Sequence, residues 1–243
     1  MARDPVIITK NLRKQFGDFV AVNDISFEVM RGEIFGFLGA NGAGKTTAMK
    51  MLTGLLAPSG GSATVAGFDV MTESDKVKRN IGYMSQRFSL YEDLTVKENV
   101  RFYGGIYGLS YSERKRKSAE LIDRLGLLDV KRDKVADLPL GWKQKLAFSV
   151  ALLHDPAIVF LDEPTGGVDP LTRRQFWDLI YEAAERGVTV FVTTHYMDEA
   201  EYCERISIMV DGKIEALDTP SALKRQYNAA NMDEVFVKLA RGK

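Results

Sequence analysis

Only one of the 243 residues is cysteine, Cys203, and only two are histidine, His154 and His195. A single thiol excludes an internal disulfide and any cysteine-based metal cluster, and it fits a reducing compartment. An excess of charge of either sign is missing too. Thirty-three Lys and Arg balance 33 Asp and Glu, so no global field draws the chain to nucleic acid or to anionic lipid. No apolar run approaches the ~18 residues that would span a bilayer, and the opening "MARDPVIITK" lacks the apolar core of a signal peptide. If the protein serves a membrane, the sequence predicts that it does so through a partner. Internal repeats and low-complexity linkers are absent as well. What is present is 45% hydrophobic and 27% charged residues. That is the balance of a soluble globular protein with a sizeable core, as one large domain or two small ones.

Short apolar strands alternate with amphipathic helices along the chain. "ISFEV" (25–29) shows the period-2 alternation of a strand with one buried face, and antiparallel strands are expected to dominate the start. From "IFGFL" (34–38) onward the strand signals become continuous apolar runs, "IVFL" (158–161) and "VTVFVT" (188–193), each flanked by helical segments. These read as buried parallel strands. Between them, roughly 93–135 reads as mostly helical. Ala119, Leu121, Ile122, Leu125 and Leu128 are expected to form one apolar stripe beside the charges of "SERKRK". The run Arg114 to Lys117 reads as a solvated helix face. The expected architecture is α/β: an antiparallel β subdomain, a mostly parallel core sheet and a helical subdomain inserted at about 93–150. A C-terminal tail follows at about 221–243, with a short amphipathic helix at 232–243 that packs on the body or on a neighbour.

The strongest chemistry lies in "GANGAGKTT" (39–47), which follows a strand and opens a helix, the context a P-loop requires. Gly39, Gly42 and Gly44 let the backbone wrap closely. The segment with Asn41 and Ala43 then presents N–H groups to phosphate at the positive end of the following helix dipole. Lys45 supplies a point charge to the β- and γ-phosphates, the Thr46 hydroxyl is placed to ligate Mg²⁺, and Thr47 adds a phosphate hydrogen bond. A P-loop also needs a strand that carries a carboxylate. "IVFLDEP" (158–164) ends a buried strand in Asp162 and Glu163, at the end where open α/β sheets bind ligands. Asp162 would hold Mg²⁺ through water, and Glu163 would serve as general base toward the water attacking the γ-phosphate. Two adjacent buried acids would repel each other without a cation, so the pair makes sense mainly with Mg²⁺.

The P-loop, "SQ" with Gln86, "LPLGWKQKL" (138–146), "IVFLDEPTGGVDP" and "TTHYMDEAEYC" stand in an order that resembles the nucleotide-binding subunit of ATP-binding cassette (ABC) transporters. "LPLGWKQ", "GVDPLTRR" and "HYMDEAEYC" are similar to the multidrug-export branch. The resemblance covers nearly the whole chain and implies a single nucleotide-binding domain that hydrolyses MgATP. Two copies, or this chain and a related one, would sandwich the nucleotides and drive export through a separate integral membrane permease from the cytoplasmic side.

Position by position, the resemblance implies further roles. Phe16 would stack on adenine. Gln86 would sense Mg²⁺ and the attacking water and begin the segment that meets the membrane partner. His195 would be the switch histidine at the γ-phosphate. Asp169 would lie in the loop that crosses the dimer interface, where Gly166 and Gly167 replace the family's serine and alanine. His154 has no such context and reads as structural.

"LPLGWKQKL" departs from the family pattern: Pro139 stands at the serine and Leu140 at the first glycine. A hydrogen bond to a charged group contributes roughly 1.5–3 kcal/mol, so the missing hydroxyl matters. The Leu140 and Gly141 amides and the helix dipole remain to cap the partner's nucleotide. Two other classes stay open at this point. A soluble ABC ATPase acting on nucleic acid or ribosomes usually carries a long coiled-coil insertion, zinc-binding cysteines or tandem cassettes, none of which is present. Intact Glu163 and His195 speak against a non-hydrolytic, ATP-gated interaction module.

Overall fold

The computed structural model describes residues 3–86 and 90–241. Two long strands, β1 (Pro5–Phe16) and β2 (Phe19–Met30), pair as an antiparallel hairpin. On β2 the alternation is as the sequence predicts: Ile25, Phe27 and Val29 are buried while Ser26 and Glu28 face out. β3 (Ile34–Gly39) then leaves this sheet and leads through the P-loop to α1 (Lys45–Leu52). β4 (Gly60–Val65) and β5 (Phe68–Asp69) return to the first sheet, whose order is β2-β1-β4-β5. The expectation that strands become parallel from Ile34 onward is corrected here. "GGSATV" is a short, half-exposed strand that pairs antiparallel with β1 and β5, in a sheet that buries one face only.

After α2 (Ser74–Asn80) come β6 (Ile81–Met84), α3 (Val96–Ile106), α4 (Tyr111–Arg124), α5 (Leu140–Ala151) and β7 (Ile158–Asp162). The chain continues through α6 (Pro170–Glu185), β8 (Thr189–Thr194), a 3₁₀ helix at Met197–Tyr202, β9 (Arg205–Val210), β10 (Lys213–Asp218), α7 (Pro220–Gln226) and α8 (Met232–Arg241). The second sheet runs β10-β9-β3-β8-β7-β6, parallel throughout except for the β10–β9 pair. Its register pairs Leu38 with Thr194, Asp162 with Thr193 and Met84 with Leu161. The carboxyl ends of β3, β8, β7 and β6 therefore finish along one edge.

Both faces of this sheet are covered, which explains why its strands read as unbroken apolar runs. Phe35, Phe37, Phe160 and Phe191 point toward the antiparallel sheet and α1, forming one core with Phe27 and Met49. Leu38, Val159, Leu161, Val190 and Val192 point to the other face and pack with Phe148, Phe176 and Trp177 from α5 and α6. Fully burying one such side chain stabilises the fold by about 1.5–3 kcal/mol.

Local signals set the helix boundaries. Thr95 with Glu98 and Ser110 with Glu113 form capping boxes at the starts of α3 and α4. Asp169 caps α6 ahead of Pro170, and Gly126 at φ 67° follows the end of α4. That stop corrects the predicted stripe. Leu121, Ile122 and Leu125 are buried, but Leu128 lies beyond the break and is exposed. Ala119 is exposed too, and Ser118 takes the inward position, because consecutive helix residues are about 100° apart. The charge run is only half solvated. Lys115 and Arg116 face out, whereas Arg114 packs on Gly104 and Lys117 bonds to Leu153 O and Asp155. Of the amphipathic tail, α8 buries Met232 and Val235 in the core beside Ala200; Gly242 and Lys243 lie outside the described residues. No helix among the described residues is long and apolar enough to cross a membrane.

Candidate nucleotide site

The strand edge brings together groups that are far apart in sequence. Beyond Gly39 the chain turns through Ala40–Gly44 into α1. Gly44 has φ 104°, and a Cβ there would stand 2.3 Å from Ala21 O, so only glycine fits. The Gly44, Lys45, Thr46 and Thr47 amides find no backbone partner among the described residues. They are the orphan donors that every helix start presents. Ala43 departs from the expected cradle, since its N–H donates to Ala40 O at 3.2 Å. Asn41 lies exposed on the rim.

Lys45 is buried, and its Nζ donates to Gly39 O at 2.7 Å and to Ala40 O at 3.1 Å. It also lies 3.5 Å from Glu163 Oε1. Burial lowers its pKa, with the Glu163 and Asp162 carboxylates acting in the opposite sense. Asp162 Oδ1 accepts from Thr193 Oγ1 at 2.7 Å and faces Thr46 Oγ1 at 3.5 Å. Desolvation raises its pKa, opposed by the Thr193 hydrogen bond.

Glu163 is the hub. Gln86 Nε2 donates to its Oε2 at 2.7 Å, and His195 Nδ1 stands 3.1 Å from the same oxygen, off the angle of a hydrogen bond. Its backbone has φ 49°, a left-handed conformation that costs a non-glycine residue of order 1–3 kcal/mol. Hydrogen bonds from its amide to Thr193 O and Oγ1, both 3.1 Å, hold it there. Six other non-glycine residues among those described share a positive φ, but Glu163 combines it with three polar neighbours, Lys45, Gln86 and His195.

The donors also fit the cofactors. Among the described residues no three His, Cys, Asp or Glu gather as a closed metal cage. Mg²⁺ does not want one, because it takes one or two carboxylates, a hydroxyl and phosphate oxygens, and keeps several waters. Thr46 and Asp162 offer that partial set, and a cation there would offset the burial that disfavours the Asp162 carboxylate.

Phe16 is half exposed at the tip of the β1–β2 hairpin, with Lys14 Nζ 5.1 Å from its ring centre. The hairpin stands beside the P-loop through the Gly44–Ala21 approach. Phe19, paired with Phe16 in register and more exposed, offers a second aromatic face. Sequence reasoning passed over it although "FGDF" spells it out. Thr193 was passed over too, since nothing in "VTT" tells which threonine faces Asp162.

Gly141 and Asp169 lie apart from the Glu163 cluster. They line a cleft of about 350 Å³ with Trp142, Lys145, Thr172 and Gln175. α5 begins after Pro139 with no side-chain cap, and the Leu140 and Gly141 amides find no partner among the described residues. A Cβ on Gly141 would meet Thr172 Cγ2 at 2.7 Å. Asp169 spends both carboxylate oxygens on Thr172, at 3.0 Å from its amide and 2.5 Å from its hydroxyl. Its capping role is thus intramolecular. Gly167, in the same loop, has φ 77°, a conformation in which alanine would be strained. His154 stacks on Tyr107 at 3.9 Å and sits 3.0 Å from Ile81 O, at the opposite end of the sheet. Burial drops its pKa to about 4, which suits a neutral structural imidazole.

A strand–P-loop–helix unit facing a carboxylate pair at the end of a neighbouring parallel strand defines a P-loop nucleotide-binding domain. A family model described as "ABC transporter" matches residues 22–166. The chain belongs to the ABC transporter family. It is 49% identical over 243 residues to the "Probable multidrug ABC transporter ATP-binding protein YbhF" of Escherichia coli (strain K12), across 97% of this chain. It spans only 42% of that relative's length. Among solved structures it resembles an ATP-binding subunit of an ABC transporter, with TM-score 0.85, 30% identity and coverage of 96% of this chain and 99% of that one. It also resembles the dimeric, post-hydrolysis ATP-binding cassette MJ0796 bound to ADP and phosphate, with TM-score 0.78, 27% identity and coverage of 88% and 98%.

Proposed function

We propose that this chain, as a single nucleotide-binding domain with its helical subdomain at about 93–150 and its tail at about 221–243, hydrolyses MgATP to power export through a separate membrane permease. The observation that carries the reading is the convergence of Lys45, Gln86 and His195 on Glu163. The P-loop amides and Lys45 hold the β- and γ-phosphates, Lys45 exchanging its Glu163 contact for phosphate oxygens. Thr46, Asp162 and Gln86 hold Mg²⁺, which supplies charge neutralisation on the transferred phosphoryl group. Glu163 accepts the proton of the attacking water, oriented by Gln86, and His195 stabilises the charge that develops. Phe16 stacks on the base. Gly141 acts across a dimer, toward the nucleotide held by a second copy or by a related chain, and Asp169, whose carboxylate is committed to Thr172, shapes the loop at that interface.

The permease partner fits an exposed aromatic patch beyond Gln86. Tyr91 meets Phe102 edge-on at 4.9 Å, and Ile106 lies one helical turn further along α3. The balanced charge supports no nucleic-acid partner. We assign the chain a peripheral place on the cytoplasmic face of the membrane and a drug-like or lipid-like cargo; the word "multidrug" in the name of the 49% identical relative supports the drug-like one. The test is an ATPase assay of the chain co-purified with its membrane partner. Wild type should turn over, whereas Glu163→Gln should lose at least ~100-fold in rate while retaining MgATP and a closed dimer. Normal turnover by Glu163→Gln sinks the assignment.

A further inference from the structure

Beyond the nucleotide cluster, a buried carboxylate joins the two segments that carry Glu163 and His195. Thr165, two residues after Glu163, is 1% exposed and donates from Oγ1 to Glu199 Oε1 at 2.5 Å. Glu199, four residues after His195 on the 3₁₀ helix, is fully buried. Arg173, one turn into α6 and bonded through its amide to Asp169 O, brings Nε to 3.6 Å from Glu199 Oε1. Its Nη1 lies 3.4 Å from Asp198 Oδ2, and its guanidinium sits 4.3 Å over the Tyr196 ring. Tyr196 in turn packs on the His195 ring, with centroids 4.1 Å apart. The circuit therefore runs from Glu163 through Thr165, Glu199, Arg173 and Tyr196 to His195.

Stability alone gives a weak reason for this arrangement. A buried ion pair is often no better than well-packed apolar residues of the same volume. Glu199 Oε2 and Arg173 Nε have no hydrogen-bond partner among the described residues, a cost a purely structural contact would not need to carry. Backbone pairing between the two segments ends at the Glu163 amide, bonded to Thr193 O, and what the arrangement adds beyond it is a fixed spacing between Thr165 and the 3₁₀ helix that follows His195.

We propose that Glu199, clamped between Thr165 and Arg173, is a positioning residue that sets the Glu163–His195 approach. Through Arg173 it ties that approach to the helix capped by Asp169. This rests on the reading of Glu163 as base and His195 as switch. Because α6 begins at the loop assigned to the dimer interface, movement of that helix on dimer closure is transmitted to the catalytic pair through one side chain.

The experiment uses the full chain with its membrane partner and measures kcat, KM for ATP and melting temperature. Thr165→Val should lower kcat about tenfold or more with KM within about twofold, because a misplacement on the order of 1 Å costs up to ~100-fold in rate. Thr165→Ser, which keeps the hydroxyl, should restore it. Arg173→Met should lower kcat per folded molecule, and because it leaves the buried Glu199 carboxylate without its cation, the melting temperature should fall as well. Arg173→Lys should recover only part of it, since an ammonium lacks the planar face that lies over Tyr196. Unchanged kcat in both Thr165→Val and Arg173→Met overturns the proposal. So does a loss that tracks the melting temperature with kcat per folded molecule unaltered. Turnover by Glu163→Gln, or none by wild type, would instead overturn the reading beneath it.

Discussion

Lys45, Gln86 and His195 all come within 3.5 Å of Glu163, whereas the first turn of α5, at Pro139–Trp142, borders an open cleft with Lys145, Asp169, Thr172 and Gln175. One region is buried at Lys45 and Asp162 and opens at Gln86 and His195; it is cross-linked by its own side chains, with Glu163 in strained backbone. The other exposes Leu140 and Trp142 and leaves two amides unspent. The difference matches what the proposed roles require of each. Groups that act on one phosphate must be fixed before it arrives, so the chain invests hydrogen bonds and backbone strain there. A surface that caps a ligand on another subunit can leave its amides to water until docking. Nothing within the chain then selects a serine over a proline.

Substitutions break this contrast at its two ends. Lys45→Ala removes the only cation within reach of Glu163 among the described residues and should cost about 100-fold or more in turnover, together with weaker ATP binding by titration. Unchanged nucleotide affinity would refute the phosphate cradle. At the open end, Gly141→Asp should reduce hydrolysis by at least about tenfold, since like charges in a closed interface are poorly screened. Here the structure adds a second cause, because any Cβ at 141 presses on Thr172. Gly141→Ala separates the two: steric cost alone predicts equal losses, while a nucleotide cap predicts a deeper loss for Asp. A Gly141→Asp enzyme as fast as wild type would mean that this turn caps nothing.

The smallest effect is expected for Pro139→Ser. Serine is a better helix cap than most residues, and a restored hydroxyl adds one hydrogen bond to the bound phosphate. In a homodimer kcat/KM should stay level or rise by up to about tenfold, the equivalent of ~1.4 kcal/mol. In a heterodimer this residue faces only the partner's nucleotide, and the change should appear at one of two sites. A clear fall in kcat/KM would show that Pro139 shapes the turn in a way serine cannot.

The sequence by itself determined everything that depends on short-range order. The P-loop was legible because glycines, lysine and hydroxyls must follow one another to wrap a phosphate. β3, β7 and β8 were legible because burial on both faces demands unbroken apolar runs, β2 because one buried face demands alternation, and the helical stretch at about 93–135 from its apolar spacing, whereas the caps that bound α3, α4 and α6 emerged with the structure. Even the mistakes are local in origin: Gly126 ends α4 before Leu128, and a one-residue offset turns Ala119 outward. What only the tertiary structure decided are the meetings across long separations. Gln86 reaches Glu163 from 77 residues away, Thr193 holds Asp162, Glu199 clasps Thr165, and Lys117 turns inward to Asp155. The first three depend on the register of parallel strands, which pairs Met84 with Leu161 and Asp162 with Thr193, and the last on how α4 packs against the loop before β7. A side chain's own sequence neighbourhood carries no record of that register, because a parallel pairing is set by the packing of both sheet faces and not by any turn that joins the strands.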